Sequence, residues 1–332
     1  MKHPQQPGLR WGDVAMTGLL ARIKEQPREV LDTIANSMNV RASEPAMQAI
    51  CAHYMSQIAL PVGARVLEVG CGNGAATKLI MQHVGPARLV GIDSSPVFVD
   101  MAAATFAGEP RVSFAVADAV ATGQADAFFD LVIAHTVYSH LLDPKEALTE
   151  ARRVLRPGGQ LVIFDGDFAT LTVALFEGDP LQTAAEAVTR NLVHAPYIMR
   201  RLPALVTAAG FTLQALEPHG YVQTTSPAYL LSLLLRGTSA AAQSGEIGQE
   251  LVDSFDREAR RRVANGSFYG AMLFLSLTAA KSAGDRAFRS GGIDEIQSGE
   301  WAHVADSLHD LASRSTRAAR ARGSALLGSQ GR

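Results

Sequence analysis

The run Val66-Leu67-Glu68-Val69-Gly70-Cys71-Gly72-Asn73-Gly74, continued by Ala75-Ala76-Thr77-Lys78-Leu79-Ile80, reads as strand, glycine turn and helix. Residues 65–69 form the short apolar run that a buried parallel strand needs. Gly70, Gly72 and Gly74 let the backbone turn sharply and approach a ligand closely, because no Cβ stands in the way. The helix behind them aims free N–H groups and the positive end of its dipole at the same spot. A nucleotide-type ligand is expected here. On the glycines alone the ligand stays open, since Gly70-x-Gly72-x-x-Ala75, with Asp93 about 20 residues on, also matches a dinucleotide fingerprint.

Working outward, further strands are expected at 88–92, 112–117, 131–134 and 160–164, alternating with helical stretches. That alternation implies right-handed crossovers and a parallel sheet. Ligands on such sheets bind beyond the carboxyl ends of the strands, which selects Gly70, Asp93, Asp118, His135 and Asp165 as the informative positions. Upstream, a helix is expected over 27–36. A second follows over 45–60 with Ser43 as its N-cap, and Met47, Ile50, Cys51, Tyr54, Met55 and Ile58 make one buried stripe. Downstream, residues 168–205 read as helical with a gap at His194-Ala195-Pro196. Residues 212–216 read as a short strand, 226–264 as a second helical block, and 268–281 as a buried strand near the sheet edge. The two helical blocks suggest a cap over the ligand site.

Four further signals join the glycine loop. Glu68 stands two residues before the first glycine, Asp93 ends Val90-Gly91-Ile92-Asp93, and Asp118 ends Phe114-Ala115-Val116-Ala117-Asp118. Phe129-Asp130-Leu131-Val132-Ile133 then leads to Arg153-Val154-Leu155-Arg156-Pro157-Gly158-Gly159-Gln160-Leu161. This ordered set resembles the class I S-adenosylmethionine-dependent methyltransferases, most closely the small-molecule enzymes of ubiquinone and menaquinone biosynthesis and of bacterial secondary metabolism. It is strong over 60–166, weaker to Lys281, and does not cover the first 40 or so residues or the tail. The resemblance implies a Rossmann-like, doubly wound α/β fold. Its seven-stranded sheet would be mostly parallel with the last strand antiparallel, and would carry an N-terminal helical segment and helical caps. The implied division is 1–60 helical, 61–167 cofactor-binding core, 168–283 remainder with cap and last strands, and 284–332 tail.

The resemblance also implies residue roles. Gly70, Cys71, Gly72 and Gly74 would receive the methionine and ribose of S-adenosyl-L-methionine, and Glu68 would hold the methionine ammonium directly or through water. Asp93, with Ser94 beside it, would accept both ribose hydroxyls. Asp118 and the Ala119 N–H would meet the adenine, and His135 would lie beside the bound cofactor. Each carboxylate has a bland alternative as a cap or turn acid. The Arg156-Pro157-Gly158-Gly159 turn is expected to be structural.

Methyl transfer from a sulfonium needs alignment, a dry pocket and, for some acceptors, a base. Catalytic candidates are His135, Tyr138, His140 and Asp167. Asp165, His194, His219 and Tyr221 form a wider set, and Arg200 and Arg201 are either ligands for an acidic acceptor or solvated helix charges. The implied activity is methyl transfer to an O, C or N atom of a small, partly hydrophobic metabolite. The competing readings are an NAD(P)-dependent oxidoreductase and a catalytically silent S-adenosylmethionine-binding protein.

A net charge of −2 over 332 residues gives no field for nucleic acid or anionic membrane. No apolar run is long enough to span a bilayer, and no metal-ligand spacing occurs. Two cysteines fit a reducing cytoplasm. The expected partner is a small-molecule acceptor, with a homodimer as the candidate assembly. Past Gly284, a short helix with Trp301, Val304, Leu308 and Leu311 on one face is expected to fray into a solvated arginine-bearing tail.

Overall fold

A computed structural model describes residues 23–284; the start of the expected N-terminal helical segment and the expected helix bearing Trp301 lie outside the described residues. Five parallel strands form the frame: β1 (Arg65–Val69), β2 (Arg88–Asp93), β3 (Val112–Val116), β4 (Phe129–His135) and β5 (Leu155–Thr172). With β6 (Phe211–Gln223) and β7 (Gly270–Lys281) they make a seven-stranded sheet in the order β3-β2-β1-β4-β5-β7-β6. Only β7 runs antiparallel to its neighbours, β5 on one side and β6 on the other. This is the Rossmann-like arrangement expected from the sequence.

The chain winds from β1 outward to β3 and then returns to place β4 on the other side of β1. The β1/β4 boundary is therefore the switch point, where connections leave in opposite directions and open a crevice. Every residue of β4 is buried, as a central strand covered on both faces requires. Burying each Val, Leu or Ile of such a strand contributes about 1.5–3 kcal/mol. On one face α2 (Pro45–Ser56) contributes Met47, Cys51, Tyr54 and Met55 to the core, with Ile50 and Ile58 half-buried at its margin. Tyr54 stacks on Phe164, and Phe164 on Phe274, with centroids 4.8 and 5.2 Å apart.

Four local expectations are corrected. The first helix, α1, runs from Arg28 to Ser43, seven residues past the expected end at Asn36. Ser43 closes it by donating to the Val40 carbonyl and does not cap α2, whose N-cap is Glu44. Residues 168–172 are strand rather than helix: Asp165-Gly166-Asp167 has the composition of a turn, yet pairs with Leu275, Phe274 and Leu273 of β7, and β5 continues through a bulge to Thr172. Likewise β6 extends to Gln223, far beyond the expected 212–216, because β7 offers partners along its whole length. Long-range pairing overrides local turn signals in both places.

The Arg156-Pro157-Gly158-Gly159 turn has a structural explanation. Arg156 Nη1 lies 2.7 Å from Asp130 Oδ1, and the other oxygen of Asp130 accepts from the Arg65 N–H. A Cβ on Gly159 would stand 2.9 Å from the Arg156 carbonyl oxygen.

The helices α6 (Gln182–Asn191), α8 (Ala228–Gln243) and α9 (Gln249–Ala264) lie on the α1 side of the sheet, while α7 (Ile198–Ala208) packs on the other. The first group is stapled by a buried ion pair: Arg262 of α9 donates from both terminal nitrogens to Asp179, at 2.7 and 2.8 Å. Among the described residues, no helix is long and apolar enough to cross a membrane.

Candidate active site

The glycine loop is held open by its neighbours. The Gly70 and Cys71 N–H groups both donate to the Ile92 carbonyl, at 2.8 and 2.9 Å. The Gly72 N–H donates to Asp93 Oδ2 at 2.9 Å, and Asp93 Oδ1 accepts from the Ser95 N–H. Asp93 thus ties the loop to the start of α4 (Pro96–Thr105). Gly70 adopts φ +70°, and a Cβ there would come 2.4 Å from Val137. Gly74, at φ +84°, forms the N-cap of α3 (Ala75–His83).

Glu68 lies fully buried behind this loop. Thr77 donates to its Oε2 at 2.6 Å, while its Oε1 is buried without a partner. Burial raises its pKa to about 8, against the pull of the Thr77 hydrogen bond, and the nearby Asp93 charge adds to the rise.

A cleft of about 400 Å³ lies over the carboxyl ends of the strands. Of the expected cofactor residues, Gly70, Asp93, Ser94, Asp118 and Ala119 line it. Asp118 is half-buried and pairs with Lys24 Nζ at 3.1 Å. Glu68, Cys71, Gly72 and Gly74 are not among the lining residues; they shape and support the loop. Cys71 is buried, and burial raises its thiol pKa far above the ordinary range, so it is an inert packing residue.

The structure takes His135 away from the cleft. Its ring is buried among core aromatics, 4.7 Å from Phe164, and its Nδ1 lies 2.9 Å from the Tyr54 hydroxyl. Burial holds its pKa well below the ordinary histidine value. Tyr138 is also buried, in the cluster formed with Ile198, Met199 and Leu202. Asp167 pairs with Arg200 at 2.7 Å. Arg201 is exposed.

His140 is placed differently: it borders both the cleft and a second, inner chamber of about 50 Å³. The one-turn helix Tyr138–His140 that carries it is pinned by Asp165, which accepts from the Ser139 N–H and hydroxyl, both at 2.9 Å. His140 Nδ1 is buried without a partner, and its pKa falls to about 3 through burial first and then the charges of Arg41 and Arg236. Of the wider set, His194 Nδ1 is likewise unpartnered, His219 Nε2 lies 2.8 Å from the Ser276 hydroxyl, and Tyr221 is fully buried.

Thr136 and Met38 share this boundary position with His140. Sequence reasoning missed both. Thr136 has φ +59°, a strained value for a β-branched residue, and nothing in its sequence context announces it. Met38 was legible: Ile34, Ser37, Met38 and Arg41 follow helical spacing along α1 and all face the inner chamber. Tyr229, Leu233 and Arg236 repeat the pattern on α8. Among the described residues no group of three or more His, Cys, Asp or Glu side chains is arranged to hold a metal.

A family model described as a methyltransferase domain matches residues 67–163. The chain is 32% identical to the methyltransferase GfsG of Streptomyces halstedii over 203 residues, covering 58% of this chain and 70% of that protein. It is 31% identical to an uncharacterised 37.1 kDa protein from transposon TN4556 of Streptomyces fradiae, over 61% of this chain and 59% of that one. Other curated relatives are matched over less than half of their length, for example 33% and 38%. The fold is shared with phosphoethanolamine N-methyltransferase 2 of Haemonchus contortus, solved with S-adenosyl-L-methionine. That match has a TM-score of 0.50 and 18% identity, over 82% of this chain and 61% of that one. With the glycine loop, the acid-tipped strands and the single antiparallel strand beside β5 all in place, these likenesses settle the family: the chain belongs to the class I S-adenosylmethionine-dependent methyltransferases.

Proposed function

We propose that this protein transfers a methyl group from S-adenosylmethionine to a small, partly hydrophobic metabolite, within the cytoplasm. One observation carries the reading: the cleft over the strand ends shares Met38, Thr136 and His140 with an inner chamber walled by Phe168, Leu192, Val193 and Leu233. Two compartments meeting at one boundary suit a donor and an acceptor that must touch. A mostly apolar chamber suits a small ligand.

The residues present fit the cofactor. Glu68 Oε1 is an orphaned buried acceptor of the kind a cationic ammonium satisfies, directly or through a water. Gly70, Gly72 and Gly74 leave the backbone bare, with Cys71 packed beneath. Asp93, beside Ser94, uses one hydrogen bond from the loop and one from α4 and keeps lone pairs for two hydroxyls. Asp118 and the Ala119 N–H stand where an adenine edge would be read. When bound, the cofactor supplies an electrophilic sulfonium methyl.

The chain's own work is orientation and exclusion of water. Met38 of α1 and Phe98 of α4 line the cleft, and Thr136 and His140 stand at the boundary. His140 stays neutral above about pH 3, so in the empty site it is a weak base and a hydrogen-bond partner. His135, Tyr138 and Asp167 support the site through their packing and pairing.

Titration calorimetry with S-adenosylmethionine, S-adenosylhomocysteine and NADH tests the donor. Micromolar binding of the first two is expected, and binding of NADH alone would overturn the reading. A labelled-methyl assay against phenols, quinols and polyketide-like acceptors tests transfer. Cofactor binding with no transfer to any of them would favour the silent binding protein.

A further inference from the structure

Arg41 and Arg236 face the inner chamber from two helices, and among the described residues neither has a carboxylate within ion-pair distance. Arg236 Nε is buried and makes no hydrogen bond. Arg41 lies over the ring of Tyr229, 5.8 Å from its centroid. Nearby, the Nδ1 atoms of His140 and His194 are also buried and unpartnered.

The fold treats its buried arginine, Arg262, differently from these two half-buried ones. Arg262 receives Asp179 on both terminal nitrogens and Glu258 on Nε. A guanidinium taken out of water without a counter-charge costs stability. Here two like charges are brought to one apolar chamber. Burial lowers the pKa of Arg236 and the charge of Arg41 lowers it further. Tyr229 offsets part of this, and among the described residues no carboxylate pairs with either arginine; an anionic ligand would.

The geometry points to an anion subsite in which Arg41 and Arg236 receive a carboxylate carried by the methyl acceptor, the rest of that acceptor extending past Met38, Thr136 and His140 into the larger cleft. The word acceptor rests on the methyltransferase reading above; the arginine pair does not. The chamber's volume of about 50 Å³ suits a group of a few heavy atoms. Planar guanidinium forks match a carboxylate through paired N–H donors, and they match a phosphate monoester in the same way.

The test uses the full chain, with and without saturating S-adenosylhomocysteine, titrated with phenylacetate, phenylacetamide and benzyl phosphate at low salt. Phenylacetate is expected to bind at least tenfold more tightly than the isosteric amide. That preference should fall below twofold in Arg236→Gln and in Arg41→Gln, and be partly restored in Arg236→Lys. Preference for benzyl phosphate over phenylacetate would overturn the carboxylate assignment. Parity of acid and amide, absence of binding by either included, would overturn the subsite. A second readout needs no ligand. The melting temperature of Arg236→Met is expected to rise, because an uncompensated charge is removed; a fall would mark Arg236 as a structural residue and overturn the proposal. Failure of S-adenosylhomocysteine to bind counts against the methyltransferase reading alone, because the acid–amide comparison is also made without it.

Discussion

Glu68 carries two opposite demands. Its Oε2 is satisfied by Thr77, and its Oε1 has no partner inside the protein. A charge-assisted bond to a ligand ammonium contributes about 1.5–3 kcal/mol. Glu68→Gln keeps an acceptor for Thr77 but cannot ionise against a bound ammonium, so S-adenosylhomocysteine affinity should fall about 10- to 100-fold by calorimetry while the fold persists. Gly70 makes a different demand, for space. At φ +70° an L-residue is strained, and a Cβ would also collide with Val137 at 2.4 Å. Gly85 has a similar φ of +62° with nothing within 4 Å, so Gly85→Ala reports the backbone strain alone. Gly70→Ala should therefore cost about 1–3 kcal/mol more than Gly85→Ala in urea unfolding. Equal losses would mean that Val137 moves aside freely.

At the scale of elements, the cap is fixed by Arg262 and Asp179, a pair almost fully withdrawn from water. The hydrogen bonds from Arg262 hold the Asp179 carboxyl down at about 2. Because that value lies below the ordinary 3.8, the pair's stabilisation is complete above pH 4 and is lost as the pH falls toward 2. Asp179→Ala leaves Arg262 with Glu258 as its remaining carboxylate and should cost about 3–5 kcal/mol at pH 7. The frame from β1 to β4 was legible because each strand there is a local apolar run ending at an informative residue. The later elements were not. Asp165-Gly166-Asp167 resembles a turn until β7, more than a hundred residues on, supplies its partners. The end of α1 was hidden because Ser37, Asn39 and Arg41 look like helix-ending polar residues. They are polar because they meet the glycine loop and the inner chamber: Asn39 Oδ1 accepts from Asn73, and Arg41 faces the chamber. The cofactor half of the site was readable as a motif. The inner chamber proposed for the acceptor draws much of its wall from single faces of α1 and α8, nearly 200 residues apart in sequence, and no local pattern joins them.

For the molecule as a whole, the buried titratable groups set a pH optimum. His135 and His140 have pKa values depressed below 6.5 in the fold, His140 to about 3. The unfolded chain therefore holds more protons than the folded one as the pH drops through 6.5, and stability is lost on the acid side. Asp165, raised to about 6, and Glu68, raised to about 8, act in the opposite sense. Their contribution is complete below their unfolded values and disappears as the pH climbs through the folded ones. Above about pH 7.5 the histidines are neutral in both states and Asp165 is through its titration, so Glu68 governs the alkaline limb. Ligand-free protein should lose about 0.7 kcal/mol through Glu68 between pH 7.5 and 8.5, since each pH unit over which one proton is released costs at most about 1.4 kcal/mol. Glu68→Gln should flatten that limb. So should saturating S-adenosylhomocysteine, because an ammonium near Glu68 favours the carboxylate and returns its pKa toward the ordinary range. Denaturant unfolding of the three samples at both pH values checks this. A limb that persists in Glu68→Gln would place the titrating group elsewhere. A limb flattened by the substitution but not by S-adenosylhomocysteine would separate Glu68 from the methionine end of the cofactor.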